Sequence, residues 1–176
     1  HQNKGTVTMT EALSLSWNAP AVWLLDQLGL KKGKEKVHQF GISTVLDDEY
    51  LGIALGGLTK GVSPIEMASA YTTFANKGVR AKGRFVTKIV DATGAVIVDN
   101  TTPQTNKVTS ESVADKMTSM LLTVYAPGGG GANAAPAGYT IAGKTGTTET
   151  VNGEDGARDQ WMIGYTPDMV VATWMG

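Results

Sequence analysis

The sequence contains no cysteine and only two histidines, His1 and His38. Without cysteine, thiol nucleophiles, disulfide bonds and cysteine-ligated metal centres are excluded. Two histidines leave little material for a histidine-based catalytic triad or a histidine-rich metal site, and His38 is interpreted as an ordinary surface or partly buried side chain. We therefore expect no metal site.

An excess of charge of one sign is also lacking. The 15 Lys and Arg residues balance 16 Asp and Glu residues, which leaves a net charge of −1 at pH 7. This balance does not provide the excess positive charge that is typical of proteins that bind nucleic acid or an anionic membrane surface. No stretch approaches the roughly 18–20 consecutive apolar residues of a membrane-spanning helix, and the polar residues 1–5 do not resemble a signal peptide.

The composition that remains is typical of a globular domain. Hydrophobic residues make up 41% and charged residues 18% of the 176 positions, which excludes a disordered chain. A chain of about 150 residues buries roughly 68–70% of its unfolded surface. The composition therefore predicts a single domain with a core of its own.

Two capping boxes predict helix starts. Thr8 and Glu11 have the required spacing, in which the Thr side chain binds free backbone N–H groups and the Glu side chain reaches back. Ser63 and Glu66 repeat the pattern, with Pro64 at the first helical position. We therefore predict one helix over about 9–16 and another from position 64.

Further helices follow from proline, glycine and apolar spacing. Pro20 suits the first position of a second helix because its missing N–H costs nothing there, and Gly29 can end that helix in a left-handed conformation. Apolar periodicity predicts helices over 31–40 and 110–125. The four glycines at 128–131 are interpreted as a flexible loop, with a lid over a cleft as the alternative.

Strand signals appear in two places. Residues 84–90 and 95–99 predict a hairpin that turns at 91–94. Three later runs are rich in strand formers, 139–148, 160–165 and 169–175, and the tight turn at 166–168 pairs the last two antiparallel. Their near-continuous apolar character predicts a sheet covered on both faces. The element order predicts an α+β fold with helices against an antiparallel sheet.

Two short segments carry residues suited to chemistry. Residues 16–18 read Ser-Trp-Asn between two predicted helices, and residues 144–147 read Lys-Thr-Gly-Thr on a predicted strand. Each segment alone is common by chance. The hydroxyl of Ser16 can pass a proton, and the amide of Asn18 can both donate to and accept from a peptide group.

The second segment suits a substrate carboxylate, because it offers one ammonium and two hydroxyls. Thr145 and Thr147 share one face of a strand while Lys144 and Gly146 share the other, so a twisted edge strand must bring the Lys head round to the cleft. Gly146 allows a substrate backbone to approach closely, and an edge N–H can donate to an oxyanion. Together the two segments favour acyl transfer on a peptide with a free C-terminal carboxylate.

These segments and their flanks resemble the transpeptidase domain of penicillin-binding proteins, most closely that of the bifunctional class A members. The family's motifs are Ser-x-x-Lys, Ser-Asp-Asn or a variant, and Lys-Thr-Gly. The resemblance extends over nearly the whole chain. The supporting segments are residues 10–25, 54–78, 143–148 and 159–176.

The resemblance implies a fold and a set of catalytic roles. The fold is β-lactamase/transpeptidase-like, with a sheet that has five antiparallel strands in the complete domain. Ser16 belongs to a proton-transfer network and Asn18 binds the substrate's peptide amide. Lys144 adjusts the electrostatic field of the active site and helps to neutralise the substrate carboxylate. The backbone N–H of Thr147 contributes to the oxyanion hole.

The resemblance also implies how substrate is bound. The hydroxyls of Thr145 and Thr147 bind the substrate carboxylate beside Gly146, and Trp17 either lines the cleft or only packs. The implied reaction is D,D-transpeptidation of D-Ala-D-Ala stem peptides of peptidoglycan, with β-lactams as inhibitors and no cofactor. It takes place outside the cytoplasmic membrane, on a protein anchored through a segment absent from this sequence.

The family's nucleophile is not found in this sequence. No serine has a lysine three residues later, although such a lysine activates the serine in the family. We therefore expect residues 1–176 to form an incomplete transpeptidase domain, without the N-terminal strands, the nucleophile helix or a glycosyltransferase domain. A companion fragment of the same domain would carry Ser-x-x-Lys, and this chain alone would be inactive.

Two alternatives remain at this point. A β-lactamase-like hydrolase shares the fold and a Lys-Thr-Gly, but it needs a deacylating glutamate that cannot be assigned in this sequence. A domain without a nucleophile could instead act as a peptide-binding module or scaffold.

Overall fold

The structure is a computed structural model in which residues 5–44, 46–150 and 156–176 are described. The helices are α1 (Met9–Ser14), α2 (Asn18–Leu28), α3 (Leu30–Gln39), α4 (Pro64–Ala75) and α5 (Glu111–Tyr125), with short 3₁₀ turns at Leu51–Leu55 and Ala132–Ala134. The strands are β1 (Val79–Ala81), β2 (Lys88–Val90), β3 (Val96–Asp99), β4 (Thr105–Lys107), β5 (Ala142–Glu149), β6 (Ala157–Tyr165) and β7 (Val170–Met175).

All strand pairs are antiparallel, so the predicted α+β class is confirmed. The main sheet has the order β5-β6-β7, and the described residues therefore supply three of the five strands expected in the complete domain. The predicted hairpin is the pair β2-β3. A second small pair, β1-β4, was not predicted, because each strand has only three residues and their pairing partners lie far apart in the sequence.

The prediction that the sheet is covered on both faces is wrong for the described residues. Strand β7 and the turn before it keep four large exposed side chains, which are Met169, Val171, Trp174 and Met175, at 46–61% exposure. Alternate residues of a strand point to opposite faces, so Val171 and Trp174 show that both faces are partly open. The apolar run indicated a buried strand but could not show which residues bury it.

The core joins α5 to the sheet. Leu121, Val124 and Tyr125 of α5 pack with Ala142 and Tyr165 of the sheet, and all five are buried. The hydroxyl of Tyr125 donates a buried hydrogen bond of 2.9 Å to the carbonyl of Ile163. Helix α5 is thus fixed to the sheet by apolar burial and by a directed polar contact.

Both capping boxes are confirmed, at Thr8 and Glu11 and at Ser63 and Glu66. Pro20 is the third residue of α2, not the first as predicted. The first four N–H groups of a helix have no intrahelical partner. Proline therefore costs no hydrogen bond at any position of the first turn, and its presence alone could not locate the helix start.

Helix α1 ends in a motif with one left-handed position, and that position is usually occupied by glycine. The N–H of Trp17 donates to the carbonyl of Ala12 at 2.9 Å, and the N–H of Ser16 donates to that of Leu13 at 3.2 Å. This is the Schellman pattern, in which the first residue past the cap is left-handed. Ser16 has φ +55°, a conformation that costs a side-chain-bearing residue roughly 1–2 kcal/mol.

The glycine run at 128–131 forms a hydrogen-bonded turn in place of the predicted flexible loop. The N–H of Gly130 donates to the carbonyl of Ser14 at 2.9 Å, and that of Gly131 donates to the carbonyl of Val124 at 3.0 Å. A Cβ at Gly129 would collide with backbone carbonyl oxygens of α5. Gly129 is therefore needed for the close approach of this turn to α5, and Gly130 also lies close to the backbone of α1.

Glu66 binds four donors. Its Oε1 accepts from the N–H and the hydroxyl of Ser43 at 2.8 and 2.6 Å, and its Oε2 accepts from the N–H and the hydroxyl of Ser63 at 3.0 and 2.7 Å. The Ser43 hydroxyl contributes most to lowering the pKa of Glu66 to about 2, although partial burial acts in the opposite direction. The carboxylate ties the segment after α3 to the start of α4.

We expect a glycine at position 16 to relieve strain. Ser16→Gly should unfold with a free energy about 1 kcal/mol higher than Ser16→Ala, because glycine adopts a positive φ without a steric penalty. Urea-induced unfolding measures this difference. Lys77, with φ +51° just past α4, provides the matched pair Lys77→Gly and Lys77→Ala. Equal stability of the two Ser16 variants would contradict the assignment of strain.

We also expect stability to fall in acid through Glu66. Its folded pKa of about 2 lies below the ordinary value of 4.5, so its contribution is complete above pH 4.5 and is lost as the pH falls towards 2. Urea unfolding from pH 2 to 6 should show this loss in the wild type and a smaller loss in Glu66→Gln. An unchanged acid dependence in the variant would show that other carboxylates dominate.

Candidate active site

The two motif segments meet although they lie 128 residues apart. The ammonium of Lys144 donates to Oγ of Ser16 at 2.8 Å. The same ammonium donates to the carbonyl oxygen of Thr145 at 2.9 Å. Because Oγ of Ser16 accepts from the lysine, the serine hydroxyl proton remains available to a further acceptor.

The environment of Lys144 favours its neutral form more than water does. Partial burial of the side chain lowers the pKa of Lys144, because the charged form loses solvation. Among the ion pairs of the described residues, none involves this lysine. A lysine without a carboxylate partner at a cavity is suited to proton exchange and to binding an anion.

A cavity of about 1210 Å³ opens beside this contact. Lys144, Thr145, Gly146 and Thr147 all line it, although strand alternation places them on two faces. Most of the remaining lining comes from α3, α4 and the segment between them and is largely apolar, with Val37, Phe40, Ile42, Leu58, Met67 and Tyr71. The motif strand is thus one polar wall of a mostly hydrophobic space.

The edge position of β5 leaves backbone groups free for a ligand. In the order β5-β6-β7, β5 has a partner on one side only within the described sheet. Every second residue of such a strand directs its N–H and C=O away from its neighbour. Gly146 pairs with Trp161, and a Cβ at position 146 would lie 3.3 Å from Cβ of that tryptophan. Glycine here therefore fits beside Trp161 as well as leaving the strand surface open.

The first segment is only partly brought to the cavity. Trp17 is the N-cap of α2 and is half-buried, and Asn18 is the first residue of α2 and is exposed. Among the described residues that line the cavity, neither of these is included, nor is Ser16. Ser16 reaches the margin of the cavity through its bond to Lys144.

Sequence reasoning missed several cavity residues on β6 and β7. Trp161 and Trp174 are register partners whose rings lie 6.5 Å apart, and both line the cavity with Arg158 and Asp159. The indole N–H of Trp174 donates to Asp159 at 2.9 Å. In the sequence these tryptophans belonged to the segment 159–176 that carries the family resemblance, but they were not assigned to the site. The signal that could have placed them there is strand register, in which Gly146 pairs with Trp161 and Trp161 pairs with Trp174.

The described ranges hold no metal cluster and no membrane span. Within residues 5–44, 46–150 and 156–176, no three His, Asp or Glu side chains gather where a metal ion could be held. No helix of those ranges is long and apolar enough to cross a bilayer.

Comparison with known sequences gives consistent matches over the chain. Residues 1–175 match a family model described as the penicillin binding protein transpeptidase domain. Penicillin-binding protein 2a of Streptococcus pneumoniae is 43% identical over 170 residues, which cover 97% of this chain and 23% of that protein. Penicillin-binding protein 1F of Bacillus subtilis is 39% identical over 175 residues, covering 98% and 24%. The chain spans about a quarter of the length of these relatives.

Solved structures agree with the sequence matches. The penicillin-binding protein PonA1 from Mycobacterium tuberculosis superposes with a TM-score of 0.83 at 30% identity, over 98% of this chain and 48% of that chain. A second structure of PonA1, in complex with penicillin V, gives the same values. Since the match to the family model extends along 1–175 and the fold agrees with that of a solved member, this chain belongs to the penicillin-binding protein transpeptidase domain family.

Proposed function

We propose that this chain is part of a serine-type D,D-transpeptidase that acts on D-Ala-D-Ala stem peptides of peptidoglycan and is acylated by β-lactams. The observation that carries the proposal is the hydrogen bond from Lys144 to Ser16 at the margin of the cavity. It unites a hydroxyl and a desolvated lysine in one proton-transfer pair. Family membership of the chain supports the same reaction class.

The nucleophile is supplied by a companion segment outside this chain. No serine here is followed by lysine three residues later, and the chain spans only about a quarter of its curated relatives. The cavity exceeds the roughly 300–1,000 Å³ of ordinary small-molecule pockets. Its volume and apolar wall suit a segment of protein together with a substrate. The companion's serine would then lie beside Ser16 and Lys144.

Acylation follows from this arrangement. The companion's lysine accepts the hydroxyl proton of the companion's serine, whose oxygen attacks the carbonyl carbon of the scissile amide. The backbone N–H of Thr147 stabilises the resulting oxyanion. When the C–N bond breaks, the hydroxyl of Ser16 donates its proton to the leaving amine and regains one from Lys144. In the second half, an acceptor amine attacks the acyl ester and the protons return along the same path.

Substrate binding uses the rest of the motif residues. The hydroxyls of Thr145 and Thr147 and the charge of Lys144 bind the terminal carboxylate, beside the open surface at Gly146. Asn18 forms a hydrogen bond with the peptide amide of the substrate, and Trp17 borders the cleft once the companion segment is in place. Since peptidoglycan lies outside the cytoplasmic membrane, the intact protein works there, anchored through a segment outside this chain.

We expect Lys144→Ala to lower the second-order rate constant of acylation by a fluorescent penicillin by about 10²–10³-fold in the intact protein, and Asn18→Ala to lower it strongly. Loss of one preorganised polar group in an acyl-transfer site has an effect of this size. Lys116→Ala, at an exposed position of α5, is the matched control and should react at the wild-type rate. Acylation of Lys144→Ala at that rate would contradict the role of the lysine.

We expect fluorescent penicillin to label the companion segment and not this chain. After labelling of the intact protein, proteolysis and mass spectrometry locate the modified residue, and this chain expressed alone should remain unlabelled. A label on a residue of this chain would refute the assignment of roles. Rapid turnover of nitrocefin would favour a β-lactamase-like hydrolase, and the absence of any label would favour a scaffold.

A further inference from the structure

The last turn of α5 contacts the segment that carries Ser16. The hydroxyl of Ser14 donates to the carbonyl of Thr123 in α5 at 2.9 Å. From the other direction, the carbonyl of Ser14 accepts from the N–H of Gly130 at 2.9 Å. Ser14 is 9% exposed, and its hydroxyl bond to Thr123 is partly buried. They hold the end of α1 two residues before Ser16.

The same turn of α5 also contacts the strand pair that carries Lys144. The hydroxyl of Tyr125 donates to the carbonyl of Ile163 at 2.9 Å in a buried position. Ile163 is the register partner of Lys144 across β5 and β6. Thr123 and Tyr125 are two residues apart, so one helical turn contacts the backbone on both sides of the site.

The Ser16–Lys144 contact needs such support. Ser16 is exposed and has a strained backbone, and local structure alone favours glycine at its position. Lysine has a long, flexible side chain, so the side chain itself does not set the distance. The hydrogen bond of 2.8 Å is lost once its two atoms are about 3.6 Å apart. The separation therefore depends on how firmly the two backbones are held.

We propose that Ser14 and Tyr125, neither of which lines the cavity, are positioning residues that set the distance between Ser16 and Lys144 through the last turn of α5. This inference rests on the proposed function, because it concerns the geometry of the same proton-transfer pair. Ser14 and Tyr125 touch neither substrate nor nucleophile. Each acts through the backbone of a motif segment.

Removal of either hydroxyl should slow acylation without preventing folding. We expect Ser14→Ala and Tyr125→Phe in the intact protein each to lower the acylation rate constant about 10–100-fold, because small misplacements of reacting groups have effects of this size. The dissociation constant of the non-covalent penicillin complex should stay unchanged, because the groups that bind the carboxylate remain. The alkaline limb of the pH–rate profile should move as the solvation of Lys144 changes, because the proposed step uses the ammonium form of this lysine. The other charged side chains that line the cavity, Lys36, Lys60, Glu66, Arg158 and Asp159, are the same in each variant.

Ser119→Ala is the matched control. Its hydroxyl also donates to a backbone carbonyl of α5, that of Asp115 at 2.9 Å, but on an exposed part of the helix. This variant should acylate as the wild type does. If Ser14→Ala and Tyr125→Phe lose thermal stability and still acylate at the wild-type rate, their roles are structural only and the inference is overturned.

A direct measurement separates this inference from the proposed function. Crystal structures of the intact protein and of both variants give the separation of Ser16 Oγ and Lys144 Nζ without any reaction. We expect it to lengthen beyond hydrogen-bonding range in Ser14→Ala and in Tyr125→Phe, and an unchanged distance overturns the inference. If the wild type does not react with penicillin but the distances change as expected, the proposed function fails and the positioning role stands.

Discussion

The rest of the site depends on the hydrogen bond between the ammonium of Lys144 and the hydroxyl of Ser16. Burial of an ammonium is costly unless polar partners replace the lost water. Here the serine hydroxyl and the carbonyl of Thr145 replace part of it. Both partners must be held by packed backbone, because the lysine side chain is flexible and Ser16 occupies an exposed position with a strained backbone.

Helix α5 provides that backbone support. Its apolar residues form the core with the sheet, and its last turn makes polar contacts to α1 and to β6. The glycine turn after α5 packs closely enough to bind the carbonyl of Ser14. The cavity beside Lys144 keeps apolar side chains in its lining, and the chain covers 48% of the PonA1 chain that it superposes on.

Local signals in the sequence were reliable where one side chain meets the backbone beside it. The capping boxes at Thr8 and Ser63 were predicted correctly because their contacts span three residues. The turn between β6 and β7 was predicted correctly because it too depends on residues that are adjacent in the sequence. The pairing of segments that lie far apart in the sequence could not be predicted from local patterns. The β1-β4 pair and the open faces of β7 depend on segments that meet only in the folded chain.

The sequence by itself determined the types of the longer elements, the α+β class and the two motif segments, since these follow from residue chemistry and short-range spacing. It also named Ser16 and Lys144 as site residues, but not their contact. Only the tertiary structure decided that the two side chains lie 2.8 Å apart. The tertiary structure likewise placed Trp161 and Trp174 in the cavity and made a packed turn of the glycine run. The physical reason is that such distances are set by packing between elements far apart in the chain, for which no local pattern exists.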